Sequence, residues 1–140
     1  MVDREALDHR LAKLEELLRR LRQLGTTDRE TYLGSAELQA QAERWLQLAA
    51  ACCIDLAHHL IAERGWRTPD TYREAFEVLA AESVLLPELA HSMAAWAGLR
   101  NVLVHLYLDV DHEVVFGFLT NDLDQLEEFA VALKRAADEE

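Results

Sequence analysis

Arg100, His105 and Tyr107 stand in the octapeptide R-N-V-L-V-H-L-Y, inside an otherwise apolar run. Val102, Leu103, Val104, Leu106 and Leu108 are residues expected in a core. Arg and His are seldom placed among such neighbours without partners, because burying a lone polar or charged group is costly. A permanent cation near a group of the type that titrates around neutrality suits chemistry on a phosphodiester.

Helix geometry constrains that idea. Each residue turns about 100°, so Arg100 and His105 on one regular helix diverge by about 140°. Arg100 and Tyr107 nearly align if the helix persists, and Asn101 aligns with His105. One straight helix therefore does not bring Arg100 and His105 onto one atom. Either the helix ends or distorts between Val102 and Tyr107, or a second copy completes the site. A symmetric homodimer pairing this segment with itself gathers two Arg and two His in one cleft. Two readings of the residues stay open here. In one, Arg100 pairs with a buried acid such as Asp55 and His105 is a satisfied core histidine. In the other, the pair does chemistry. His9, His58, His59, His91 and His112 lack comparable company. His58 and His59 diverge on a helix, with no ligand set around them for a metal.

The elements that must position these residues are helical. Leu7, Leu11, Leu14, Leu18 and Leu21 form one apolar stripe, which predicts a helix from Arg4 to Leu24 ended by Gly25. Thr27 to Glu30 reads as a capping box opening a short turn or helix with Tyr32 and Leu33. A long helix is predicted from Ala36 to Arg64, striped by Leu38, Trp45, Leu48, Ala49, Cys52, Leu56 and Leu60. At about 43 Å it exceeds what a small bundle needs. Thr71 and Glu74 form a second capping box before Tyr72, Phe76, Leu79 and Ala80. Pro87 suits the first turn of the helix that carries Leu89, Met93, Trp96, Ala97, Leu99 and Arg100 toward the octapeptide. Asp111 is the expected cap of a last helical region, divided near Thr120 and Asn121, that bears Val114, Val115, Phe118, Leu123, Leu126, Phe129, Ala130 and Leu133. Short loops between about five helices imply an all-α antiparallel bundle. Tyr32, Tyr72 and the three Trp are expected in core or interface.

Composition agrees. The 140 residues suit one domain, 1–140, and 51% are hydrophobic, enough for a core. Gly and Pro number five and two, as in a helical chain. The net charge of -12 opposes wholesale binding of nucleic acid and suits a basic partner. Adjacent Cys52 and Cys53 cannot form an ordinary disulfide and read as buried thiols of a reducing compartment. The charged start at Asp3, Arg4 and Glu5 does not resemble a signal peptide, and no apolar run reaches the roughly 18 residues of a membrane span. A cytoplasmic protein without a membrane partner is expected.

The sequence resembles the HEPN superfamily (higher eukaryotes and prokaryotes nucleotide-binding), in its HepT-like branch of toxin ribonucleases. The family motif is Arg, four residues, His, one residue, Tyr. Arg100, His105 and Tyr107 match it without a change in spacing, and Asn101 supplies the polar residue often found after the Arg. The stretches Arg44 to Ala62, Y-R-E-A-F from Tyr72 to Phe76, and Ala97 to Asp111 match as well. The resemblance implies a dimeric helical fold and a metal-independent endoribonuclease without a cofactor. Arg100 and His105 would act together on RNA, which is cut by its own 2'-hydroxyl to a 2',3'-cyclic phosphate and a 5'-hydroxyl end. Asn101 and Asp55 are candidates for supporting roles. The resemblance further implies a cognate MntA-type nucleotidyltransferase antitoxin that adds AMP to Tyr107. The rival is a HEPN bundle that holds a nucleotide or a partner without cutting RNA. A plain dimerisation scaffold explains the stripes but not the octapeptide.

Overall fold

The computed structural model describes residues 3–139. Among them are seven α-helices, one 3-10 turn and no strand. In chain order they are α1 (Arg4–Leu24), α2 (Arg29–Leu33), α3 (Ala36–Arg64), α4 (Tyr72–Ala81), α5 (Pro87–His105), the 3-10 turn (Tyr107–Asp109), α6 (His112–Asn121) and α7 (Leu123–Asp138). The all-α expectation holds. The count rises from about five because α2 is a true single turn and the last region breaks at Asp122.

The caps show why the boundaries fall there. The Asp3 and Ser35 side chains accept hydrogen bonds from the Ala6 and Leu38 amides, closing the first turns of α1 and α3. Thr71 accepts from Glu74 N–H at 3.1 Å, and the Glu74 carboxylate accepts from Asp70 N–H at 2.9 Å. Asp111 accepts from the Glu113 and Val114 amides. The cap of α2 is Asp28 rather than Thr27: its carboxylate accepts from Thr31 N–H at 2.7 Å, and hydrogen bonds from the Thr31 side chain and then from this amide hold its pKa below the usual range. α3 ends where Gly65 takes a left-handed φ of 67°, a conformation that suits glycine. Gly25 matters for another reason, since a Cβ there would lie 3.0 Å from the Leu119 carbonyl oxygen of α6.

Helix α3 is the hub, packed against all six other helices. By length and composition α3 passes for a membrane span, contrary to the expectation from the sequence, but half of its most apolar stretch is buried in the bundle. Its core face is Ala42, Leu46, Ala49, Ala50, Cys53, Ile54, Leu56, Ala57, Leu60 and Ile61. The stripe read from the sequence is therefore rotated in part: Trp45, Leu48 and Cys52 are only half-buried. A helix surrounded on most sides has too broad an apolar face for a narrow stripe to locate. Burial raises the Cys53 thiol well above its ordinary pKa; Cys52 rises too, first through burial and then through Asp55. α1 buries Leu7, Leu11, Leu14, Leu17, Leu18, Leu21 and Leu24, each worth about 1.5–3 kcal/mol of transfer free energy.

α5 is anchored from several sides. Trp96 is fully buried, its indole N–H donates to Gln125 Oε1 at 2.9 Å, and its ring meets Phe118 edge-on with centroids 4.8 Å apart. Phe76 and Phe129 tie α4 to α7 in the same way at 5.7 Å. These contacts fix the rotation of α5, and so the directions in which Arg100 and His105 leave it.

Tyr32 of α2 is fully buried against Phe116, yet its hydroxyl has no hydrogen-bond partner among the described residues. Burial, then the charge of Glu43, pushes its pKa up to about 12 from 10.0. The neutral phenol is thus the form the fold requires. Its contribution is complete below pH 10, the unfolded value, and is lost as pH rises from 10 toward 12. The loss should be on the order of 2 kcal/mol by pH 12. Urea unfolding of Tyr32→Phe should show a shallower alkaline decline than the unsubstituted chain, and equal or greater stability at pH 7, because an unpaired buried hydroxyl is removed. Identical alkaline slopes would contradict this account.

Candidate active site

α5 stays helical through His105, and Leu106 N–H still donates to Val102 O at 2.9 Å. Leu106 then leaves the helical region at φ -123°, ψ 37°, and the chain passes into the 3-10 turn. Arg100 and His105 therefore share one regular helix, and their divergence stands within a protomer. The alignment of Tyr107 with Arg100 does not, because it presumed a helix continuing past His105.

Burial of the octapeptide departs from the expectation. Leu103 alone of its apolar residues is buried; Val102 and Val104 are half-buried. Leu106, Tyr107 and Leu108 are 48%, 68% and 86% exposed. The cause is the end of α5, which lifts residues 106–108 off the bundle. His105 and Asn101 are exposed, and Arg100 is half-buried. His105 is thus no core histidine.

Nor does Arg100 pair with a buried acid. Asp55 is exposed on α3, and no carboxylate among the described residues forms an ion pair with the Arg100 guanidinium. Its carbon instead lies 5.3 Å from the centroid of the Tyr72 ring, as a cation–π pair between α5 and α4. His58 of α3 meets the same ring edge-on, with centroids 6.0 Å apart and planes at 86°. The His58 Nε2 atom is buried and has no hydrogen-bond partner among the described residues. Tyr72 is 40% exposed, so neither face nor rim of this stack is sealed.

The structure thus brings Arg100 together with Tyr72 and His58, and leaves Asn101, His105 and Tyr107 facing outward along the same end of α5. Reading the sequence missed His58, whose company is 14 and 42 residues away and exists only once three helices pack. The one available sign was the Y-R-E-A-F stretch, whose first residue is Tyr72. Among the described residues, no three His, Cys, Asp or Glu side chains are grouped to hold a metal ion.

An unpaired guanidinium with free donors can clasp an anion bidentately. An exposed imidazole can exchange a proton with a bound group. An exposed phenol can accept a modification. The arrangement suits phosphate chemistry on a ligand that approaches from solvent.

Comparison with known proteins places the chain. Residues 14–133 match the family described as Ribonuclease HepT-like. A tRNA nuclease HepT of Aphanizomenon flos-aquae is 35% identical over 119 residues, 85% of this chain and 81% of that protein. An mRNA nuclease HepT of Shewanella oneidensis is 25% identical over 126 residues, 90% of this chain and 94% of that one. The solved structure of a tri-AMPylated Shewanella oneidensis HEPN toxin in complex with MNT antitoxin superposes with a TM-score of 0.86 at 24% identity, covering 96% of this chain and 99% of that chain.

Proposed function

Because the chain belongs to the Ribonuclease HepT-like family, we propose that it is a metal-independent endoribonuclease toxin of the cytoplasm, with Arg100 and His105 as its catalytic pair. RNA carries its own nucleophile in the 2'-hydroxyl. That oxygen attacks the adjacent phosphorus while an imidazole takes its proton. The bond from phosphorus to the 5'-oxygen breaks, and a second imidazole returns a proton to the leaving oxygen. The products are a 2',3'-cyclic phosphate and a 5'-hydroxyl end. His105 suits both proton steps. Arg100 grips two phosphate oxygens and stabilises the charge that builds on them. Asn101, one helical turn before His105, is the residue best placed on α5 to orient it. Asp55 is exposed and serves at most as an outer contact, next to Cys52 rather than Arg100.

The observation that carries this reading is that Arg100 is held in place with no acid on its donors. The rival, a HEPN bundle that binds without cutting, is favoured by the net charge of -12. Cleavage separates the two. Arg100→Ala and His105→Ala should each lower single-turnover cleavage of tRNA, the substrate named for the cyanobacterial relative, by at least about a hundredfold, with circular dichroism unchanged. EDTA should leave the rate of the unsubstituted protein intact. Cleavage that stops with EDTA and returns with Mg²⁺ would sink the metal-independent mechanism.

A base and an acid at one phosphate call for two imidazoles, and one α5 offers a single His105. We read the exposed Leu106 and Leu108 as part of a seam against a second copy, since neighbouring exposed apolar side chains mark contact surfaces. Sedimentation at micromolar concentration should give a dimer. Leu106→Ser with Leu108→Ser should shift it toward monomer and reduce cleavage together. A monomeric parent protein would refute the seam.

The partner in this proposal is a nucleotidyltransferase antitoxin that adds AMP to Tyr107. The support is the tri-AMPylated state of the solved Shewanella toxin and the exposure of the Tyr107 ring. Added adenylate brings negative charge and bulk two residues from His105, at the end of the helix that carries Arg100. Incubation with the antitoxin and ATP should raise the intact mass in steps of one adenylate, mapped to Tyr107, and Tyr107→Phe should remain toxic. Full neutralisation with Tyr107 unmodified would show that the antitoxin acts by occlusion.

A further inference from the structure

We propose that Tyr72 is a positioning residue for Arg100, and that His58 in turn holds the Tyr72 ring. The three side chains come from three helices and form one stack: His58 of α3 edge-on to Tyr72 of α4, and Arg100 of α5 over the Tyr72 face. This inference rests on the reading of Arg100 as the phosphate-binding residue.

The choice of an aromatic partner has a chemical consequence. A carboxylate would orient Arg100 by occupying the donors that a phosphate needs, and it would cancel the charge. A ring orients the guanidinium through its face and leaves the in-plane donors free. Arginine is long, and a loose guanidinium must be ordered each time substrate binds. The stack does that ordering in advance, as catalysis by fixed charges requires. Tyr72 is itself fixed at the first turn of α4, directly after the Thr71 cap. His58 closes the other side. Its Nε2 has no hydrogen-bond partner among the described residues, and the contact that places it is the edge-on packing against the Tyr72 ring. Leu99 and Leu103, buried on either side of Arg100 in sequence, keep α5 from rotating away.

The test uses the full chain and two readouts. The first is single-turnover cleavage of a tRNA pool by the parent, Tyr72→Phe, Tyr72→Leu and Tyr72→Gln. Tyr72 is 40% exposed, so these variants should fold. Phe keeps the ring and should stay within about twofold of the parent; Leu and Gln should lose about fivefold or more in the saturating rate, with a smaller change in the RNA concentration giving half that rate. The second readout needs no RNA. The proton on Nε of Arg100, identified by its disappearance in Arg100→Lys, should be shifted upfield by the ring in the parent and in Tyr72→Phe. It should return to the position of ordinary arginines in Tyr72→Leu and Tyr72→Gln, and move part of the way in His58→Ala. Leu and Gln variants with the parent's rate and an unmoved signal would overturn the proposal. So would a Phe variant as slow as Leu, because the hydroxyl would then be the active part. If the parent cleaves no RNA, the catalytic reading of Arg100 falls, while the spectrum still reports whether the stack exists.

Discussion

Burial of α3 is the constraint on which the rest of the structure depends. All six other helices pack on it, and its ten buried side chains run from Ala42 to Ile61. Half of that face is small: Ala42, Ala49, Ala50, Cys53 and Ala57. They let neighbouring helices approach closely. Everything that bears on chemistry is placed relative to this axis. α5 lies on it through its buried residues, α4 carries Tyr72 beside it, and His58 belongs to it.

The end of α5 follows from a conflict between burial and chain continuation. Met93, Trp96, Leu99 and Leu103 point inward and hold the helix down. Past Leu103 the bundle offers no more surface, and the chain must turn toward Asp111, whose carboxylate starts α6. Leu106 takes the non-helical conformation, and residues 106–108 project. A helix that ran one more turn would have set Tyr107 above Arg100. By stopping at His105 it leaves the imidazole at the helix end and the phenol on a short projection beyond it, both exposed to solvent.

Much of this was legible in the sequence. The bounds of α1 and α3 fall where the stripes and the glycines put them, because Gly25 and Gly65 do physical work that other residues do poorly. The Thr71, Pro87 and Asp111 starts were legible for the same reason: caps are local chemistry. Burial of the octapeptide was misjudged because apolar type says what a residue prefers, not whether the bundle has room to cover it. Val114 shows the same error, 52% exposed on α6 while its neighbour Val115 is buried. The partners of Arg100 were illegible for a deeper reason. An ion pair with Asp55 was the natural guess, since acids and arginines attract over long distances. The actual partner is a ring brought in from another helix by packing, which no spacing encodes.

That outcome bears on the charge of the whole chain. Asp and Glu number 26, and five other arginines pair with them. Arg4 pairs with Asp8 and Asp138, Arg20 with Glu16, Arg22 with Asp124 and Glu127, Arg29 with Glu113, and Arg67 with Glu74. Arg100 pairs with none of the described acids and lies instead over the Tyr72 ring. Exposed pairs of the kind formed by Arg22 contribute little to stability, so forgoing one costs the fold little. It leaves a cation whose full charge is available at short range, inside a protein that repels polyanions at long range. Such a molecule binds RNA poorly by charge in general. If Arg100 is the phosphate-binding residue proposed above, RNA is held at one phosphate rather than by the charge of the whole surface.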